Sequence, residues 1–131
     1  MTEHNAETIA AARGALDGFF AALNVEDSEA IKARWFHFPH FRLHSGKLLV
    51  MNTPDEFTSP VLNRFGQAAD WARTAWDYAE PVDSGPDKVH FRVQFTRYRA
   101  DGSAIGSYKS LYIVTFKDGR WGIQGRSTWA E

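Results

Sequence analysis

The stretch His90–Trp129, HFRVQFTRYRADGSAIGSYKSLYIVTFKDGRWGIQGRSTW, decides the fold. Apolar and polar residues alternate along it, and the dipeptides Asp101-Gly102 and Asp118-Gly119 divide it. An Asp-Gly pair between alternating segments is a strong hairpin signal, because the favoured two-residue turn needs positive φ at both central positions. Counting outward from each turn sets a register. Phe91 faces Tyr112, Phe95 faces Tyr108, Tyr112 faces Gly125 and Ser110 faces Ser127. Strand side chains alternate between faces. One face is therefore aromatic and apolar, from Val89, Phe91, Val93 and Phe95 through Tyr108, Ser110, Tyr112 and Val114 to Trp121, Ile123, Gly125, Ser127 and Trp129. The other face mixes Arg92, Gln94, Lys109, Gln124 and Arg126 with Leu111 and Ile113.

Working back towards the N-terminus, Trp71–Val82 reads as a further strand. The turn Ser84-Gly85-Pro86-Asp87 pairs it with the His90 strand and sets Thr74, Trp76, Tyr78 and Glu80 on the aromatic face. Earlier, Glu7–Leu23 places Ile9, Ala12, Leu16, Phe19, Phe20 and Leu23 on one helical stripe. Gly14 and Gly18 lie one turn apart on this helix and permit close packing. Asn24 ends it, and Asp27 or Ser28 caps a short helix over Glu29–Trp35. Pro39 keeps the segment Phe36–His44 extended. Ser45-Gly46 turns it into Lys47–Met51, with Phe41, Leu43, Leu48 and Val50 on a buried face. Thr53-Pro54-Asp55-Glu56 is a helix start with a capping box. Pro60 interrupts that helix, which is expected to end near Gly66. Helices gathered in the N-terminal half must cover one face of an antiparallel meander, giving an α+β fold. The aromatic face is too bulky for flat packing, so a curved sheet wrapping the long helix suits it.

Composition bounds the function. At 131 residues the chain is expected to form a single domain spanning 1–131, large enough for a proper core. A formal net charge of −1 with scattered basic residues argues against nucleic acid as a partner. There is no cysteine, which excludes disulfides and thiol chemistry. No apolar run reaches membrane-spanning length and the N-terminus lacks a signal-peptide layout, so the expectation is a cytoplasmic protein without a membrane partner. The unusual quantity is the aromatic content of 15%, which needs large cavities or interfaces for burial.

The order of elements, the phrase Ala21-Ala22-Leu23-Asn24-Val25-Glu26-Asp27, the stretch FPHFRLHSGKLLVMNTPDEF and the closing FTRYRADGSAIGSYKSLYIVTFKDGRWGIQGRSTWA resemble the nuclear transport factor 2-like superfamily, and more narrowly its small bacterial members of undefined activity. The resemblance covers nearly the whole chain. It implies a cone-shaped, cystatin-like roll: N-terminal helices packed on a curved antiparallel sheet around a pocket, with homodimers formed through the outer sheet face. The superfamily includes ketosteroid isomerase, scytalone dehydratase, limonene epoxide hydrolase and polyketide cyclases alongside non-enzymes, so the fold alone does not assign a reaction. In proteins similar to ketosteroid isomerase the catalytic base is an Asp near the start of the first strand. This chain has no acidic residue between Glu29 and Asp55, which counts against that mechanism.

A histidine could take the base's place, because its ordinary pKa lies close to working pH. His37 and His40 flank Phe38-Pro39 at that strand entry, and the plain alternative is that one bonds to backbone and the other is solvated. Tyr108, Ser110, Tyr112 and Ser127 put polar tips on the apolar face, around a patch of small residues at Ser110, Gly125 and Ser127. Such a patch either admits a helix closely or leaves a void. With Phe19, Phe20, Trp76 and Tyr78 as walls, it outlines a small-molecule site. The catalytic candidates are thus His37, His40 and Tyr108, and the ligand-binding candidates Phe19, Phe20, Trp76, Tyr78, Ser110, Tyr112 and Ser127. The five histidines make no metal motif, and no phosphate loop, dinucleotide fingerprint or nucleophile elbow is present, so no metal or cofactor is expected. The reading is a pocket protein for a small apolar molecule: an isomerase, dehydratase, cyclase or hydrolase with a His base, or else a non-catalytic ligand-binding or dimeric interaction domain. On the outer face, Leu111, Ile113 and Ile105 among Arg92, Lys109, Gln94, Gln124 and Arg126 have the composition of a homodimer surface, with Asp77 of one chain reaching Arg92 or Arg126 of the other.

Overall fold

A computed structural model of the chain describes residues 2–57 and 70–129, with side chains from residue 6 onward. Helix α1 spans Thr2–Asn24, α2 is the single turn Ser28–Ala30, and one turn of π-helix, Ile31–Trp35, leads into the sheet. The strands are β1 Phe36–His44, β2 Lys47–Met51, β3 Trp71–Gly85, β4 Lys88–Arg99, β5 Ala104–Lys117 and β6 Arg120–Trp129, in the spatial order β2-β1-β6-β5-β4-β3. The architecture is α+β, but the sheet is mixed. All neighbours are antiparallel except β1 and β6, which run parallel because the chain returns to the far edge of the meander. The expected interrupted helix around Pro60 lies outside the described residues. The capping box at Thr53 and Glu56 is present, on a 3₁₀ turn at Pro54–Glu56.

The stripe on α1 buries Ala12, Ala15, Leu16, Phe19, Phe20 and Leu23 against the concave side of the sheet. Gly18 admits the Trp35 ring where a Cβ would collide with it. Asn24 fastens the end of α1 to β3 with paired bonds: its Nδ2 donates to the Thr74 carbonyl at 2.9 Å and its Oδ1 accepts from the Thr74 N–H at 2.7 Å. Asp27 accepts from the Ala30 N–H and so caps the following turn.

The Asp118-Gly119 turn sets its register as counted; next to Asp101-Gly102 the pairing is one residue out, with Tyr98 opposite Ala104, and a bulge at Arg97/Tyr98 restores the counted register beyond it. Phe95 lies opposite Tyr108 and Phe91 opposite Tyr112 on β4 and β5. Asp118 and Gly119 take positive φ of 55° and 77°, and Val114 lies opposite Ile123. Beyond that point a bulge intervenes between Ile113 and Val114. Tyr112 then faces Arg126 rather than Gly125, and Ser110 faces Thr128 rather than Ser127. An extra residue in one strand reverses the face of everything after it. A second bulge between Trp76 and Tyr78 does the same in β3, so Ala79 rather than Tyr78 or Glu80 shares a face with Val93. These bulges also bend the long strands around α1, producing the expected curvature.

The first hairpin also differs from expectation. Phe41 and Leu43 pair with Gly125 and Ser127 on the convex side. Two rows of cross-strand neighbours, Ile113–Gly125–Phe41–Val50 and Leu111–Ser127–Leu43–Leu48, run across that side. Leu43, Leu48 and Val50 are 42%, 65% and 42% exposed, so this is not the buried face their sequence pattern implied. No helix among the described residues is long and apolar enough to cross a membrane.

Candidate functional site

The concave face is lined by rings. Phe20 stacks on Trp76 with centroids 3.7 Å apart, Trp76 meets Tyr112 edge-on at 5.4 Å, and Phe95 lies 5.6 Å from Tyr108. Between these rings and the end of α1 is a crevice bounded by Phe20, Leu23, Thr74, Phe95, Arg97, Tyr112 and Arg126. Its enclosed volume is about 10 Å³, room for about one water, so a larger ligand enters only where the aromatic walls move apart.

Two arginines reach this space. The bulge in β6 turns Arg126 inward, where it is only 6% exposed and its Nη1 donates to the Tyr112 hydroxyl at 2.9 Å. Arg97 continues the inward parity of Phe91, Val93 and Phe95 along β4. Its guanidinium lies over the Tyr108 ring at 5.0 Å and the Phe95 ring at 5.8 Å, and its Nε is buried with no hydrogen-bond acceptor among the described residues. Burial lowers the Arg97 pKa, and the positive charge of Arg126 lowers it further against the raising influence of Tyr108 and Tyr112. Trp76 Nε1 is likewise buried without a partner among the described residues. Tyr108 folds its hydroxyl back over Gly106, where a Cβ would lie 2.6 Å from it.

The structure places the expected site residues in three groups. Phe20 and Tyr112 line the crevice. Trp76 and Tyr108 stand behind it, stacked on the lining rings, while Phe19 is wholly buried against Phe36 and Tyr112. Ser110 is on the concave face, but its hydroxyl is engaged, donating to the Ser127 carbonyl at 2.8 Å and lying 2.8 Å from Thr128 Oγ1. Tyr78 and Ser127 are on the convex side, turned there by the two bulges. The void expected at Gly125 is filled from that side by the Phe41 ring.

Neither histidine lines the crevice. His37 is 1% exposed but packs on Gly122, the residue between inward-facing Trp121 and Ile123, so its ring lies on the opposite side of the sheet. Its Nε2 is 3.1 Å from the Arg120 carbonyl, and burial lowers its pKa. His40 does point inward. It stacks on Phe36 at 3.9 Å, and its Nδ1 is 2.9 Å from the Ile123 carbonyl. A carbonyl only accepts, so that contact puts the ring proton on Nδ1. Desolvation, reinforced by the charge of Arg126, holds the His40 pKa down to about 3. A base that weak and that enclosed is poorly matched to proton abstraction at neutral pH. His40 has the geometry of a core histidine held to the backbone through Nδ1, with its Nε2 buried and bonded to no described residue.

The sequence reading missed Arg97 and Arg126. Arg97 was within reach of simple alternation from Phe95. Arg126 was not, because the register without a bulge puts it outside. The mid-strand glycines Gly122 and Gly125 were the available warning, since glycine in a strand often marks a bulge or a close approach.

No family model matches the sequence, and no curated protein matches it. Solved structures do. A protein of unknown function with a cystatin-like fold from Nostoc punctiforme superposes with a TM-score of 0.72 at 15% identity, over 93% of this chain and 90% of that one. The fold here is cystatin-like. A nuclear transport factor 2-like protein from Novosphingobium aromaticivorans matches with a TM-score of 0.72 at 13% identity, over 94% and 81% of the two chains. A ketosteroid isomerase-like protein from Erwinia carotovora matches at 0.64 and 19% identity, over 92% and 93%. Likeness at these identities carries the architecture of nuclear transport factor 2-like proteins, as their resemblance implied, and leaves the activity open.

Proposed function

We propose that this chain binds a small molecule in the crevice between the end of α1 and the concave face of its cystatin-like sheet. The carrying observation is Arg97, whose guanidinium lines that crevice among aromatic rings with its Nε bonded to no described residue. Burying polar groups without full partners costs stability, so a core built only for packing would not keep them. If the bound molecule is also transformed, Arg97 and Arg126, which line the crevice, are the groups that could polarise an oxygen, while Tyr108, first read as a catalytic candidate, stands behind it. His37 and His40, first read as bases, lack the position or the basicity. Titrating ¹⁵N-labelled protein with small aromatic compounds tests the reading. Shifts should centre on the Trp76 indole N–H, Phe20 and Arg97, and Leu23→Trp should abolish them by filling the crevice. Shifts centred on the convex face, or no shifts at all, would refute it.

A second proposal concerns assembly, a homodimer through the convex face. The rows Ile113–Gly125–Phe41–Val50 and Leu111–Ser127–Leu43–Leu48 present a hydrophobic centre with Arg92, Lys109 and Gln94 nearby. A polar rim around an apolar core is the composition of an interface, and a twofold axis lets the patch meet itself. Arg126 plays no part in it, since it faces the interior. Asp77 is engaged within its own chain, accepting from Thr96 Oγ1 at 2.6 Å and Gln94 Nε2 at 3.0 Å.

A further inference from the structure

We infer that the β1–β2 hairpin carries a second binding site, apart from the crevice, for the phosphate group of a small phosphate monoester. The first ground is a hollow lined by Arg42, His44, Lys47, Leu48 and Leu49. Its volume is about 250 Å³, and it shares no lining residue with the crevice. The hairpin register builds it. His44 lies directly opposite Lys47, and Arg42 opposite Leu49. Side chains alternate along a strand and directly opposed residues share a face. Arg42, His44, Lys47 and Leu49 therefore rise from the same side of the hairpin as His40, and three basic groups meet beside a leucine.

The second ground is how charge is distributed over the sheet. Strands β1, β2, β4, β5 and β6 contain no Asp or Glu; the sheet's carboxylates, Asp77, Glu80 and Asp83, are all on β3. β2 and β3 are its opposite edges. Two of those carboxylates are engaged where they stand, Glu80 by Arg92 and Asp77 by Gln94 and Thr96. Outside the strands, Glu56 accepts from the Asn52 and Thr53 N–H groups, Asp101 from Ser103, and Asp70 from Arg99. Lys47 forms no ion pair, and the His44 ring no hydrogen bond, with any described residue. Burial holds the His44 pKa below its ordinary value, and the charges of Arg42, Arg126, Arg97 and Lys47 all push the same way. His44 is thus a neutral imidazole in a positive field. The third ground is the charge the hollow can answer. A phosphate monoester carries close to two negative charges above its second pKa near 6. Lys47 meets one of them as a point charge. A dianion beside His44 outweighs the field there and draws a proton onto the ring, which supplies the second charge and two N–H donors. A carboxylate or a sulfate ester brings one charge and gains less. Leu48 and Leu49 give the organic group an apolar wall.

Phenyl phosphate, phenyl sulfate and inorganic phosphate test this, each titrated into the intact protein at neutral pH and low salt and followed through the His44 ring and Leu49 methyl resonances. Phenyl phosphate is expected to bind about tenfold more tightly than phenyl sulfate, to weaken as salt is raised, and to raise the His44 pKa. Lys47→Gln should weaken phenyl phosphate about tenfold and, in the ligand-free protein, raise the His44 pKa by removing one of the charges that depress it. Lys47→Arg, which keeps the charge, should restore both. Lys47 is exposed at the edge of the sheet, so these variants keep the fold. Equal binding of phenyl phosphate and phenyl sulfate would overturn the dianion. Inorganic phosphate binding as tightly as phenyl phosphate would overturn the ester. No response of His44 to any probe, or native affinity in Lys47→Gln, would overturn the site.

Discussion

His40 makes the fold acid-sensitive in a pH range that can be worked out. In the folded chain its pKa is pushed down to about 3 by burial and by Arg126, against an ordinary value of 6.5. Between those two values the unfolded chain binds a proton that the native state excludes. Stability therefore rises with pH across the window, is fully present above 6.5, and is lost progressively as pH falls towards 3. Each unit of separation corresponds to about 1.4 kcal/mol. Lowering the pH from 7 to 5 should then remove about 2 kcal/mol through this residue alone, a large part of a typical total of about 5–15 kcal/mol. Depressed carboxylates such as Asp70 and Asp101 do not intrude, because their ordinary value of 3.8 lies below the range. His37 and His44 are also held down and contribute to the slope. The assay is therefore a difference: urea unfolding at pH 7 and pH 5 for the native protein and for His40→Gln, whose amide can still donate to the Ile123 carbonyl. The variant should start less stable and lose about 2 kcal/mol less across the two pH values. Equal losses in both proteins would mean that His40 is solvated or protonated in the fold, and the account of it as a neutral core residue would fail.

Asn24→Ala removes both bonds that tie α1 to the Thr74 backbone and should cost about 2 kcal/mol, read as a lower urea midpoint. Gly125→Ala forces a methyl into the Phe41 ring and should destabilise by about 1–3 kcal/mol, with Phe41→Ala restoring part of the loss in the double variant. Leu111→Asp should give a monomer by light scattering across a dilution series, because the facing patch cannot pair a buried carboxylate; native protein that is already monomeric at micromolar concentration refutes the convex-face dimer.

What the sequence made legible was local. Asp118-Gly119 fixed Val114 opposite Ile123, because turn geometry propagates through a regular ladder; Phe95 lies opposite Tyr108 as counted because a bulge at Arg97/Tyr98 compensates a turn one residue longer than Asp101-Gly102 implies. The capping box at Thr53 and the stripe on α1 were legible for the same reason: each is decided within a few residues. Bulges are not. Whether Ile113 faces one residue or two depends on how β6 must bend to meet both β5 and the parallel β1, a condition set by strands distant in sequence. The misplacement of Ser127, and of Tyr78 by the bulge in β3, follows from that. His37 lies outside for a different reason: it shares a side with Phe41, and Phe41 faces the convex surface rather than the buried face its pattern implied.

The bulge in β6 also explains why shape and charge arrive together in this fold. Without it, Gly125 would face α1 and Arg126 would be one more cation on a mixed outer surface. With it, the strand bends towards the helix, Gly125 turns outward and accepts the Phe41 ring, and Arg126 turns inward to the Tyr112 hydroxyl. The same extra residue that curves the sheet to enclose a crevice delivers the group that charges it. Arg97 needs no such device, because plain alternation from Phe95 brings it in. Deleting Gln124, the extra residue, leaves Ile123 and Gly125 as neighbours in plain alternation, so Arg126 is expected to stay inward against Tyr112 while β6 loses its bend. A folded deletion variant in which Arg126 and the Tyr112 hydroxyl lose their contact, read from their side-chain resonances, would show that the bend rather than the count of residues decides where Arg126 points.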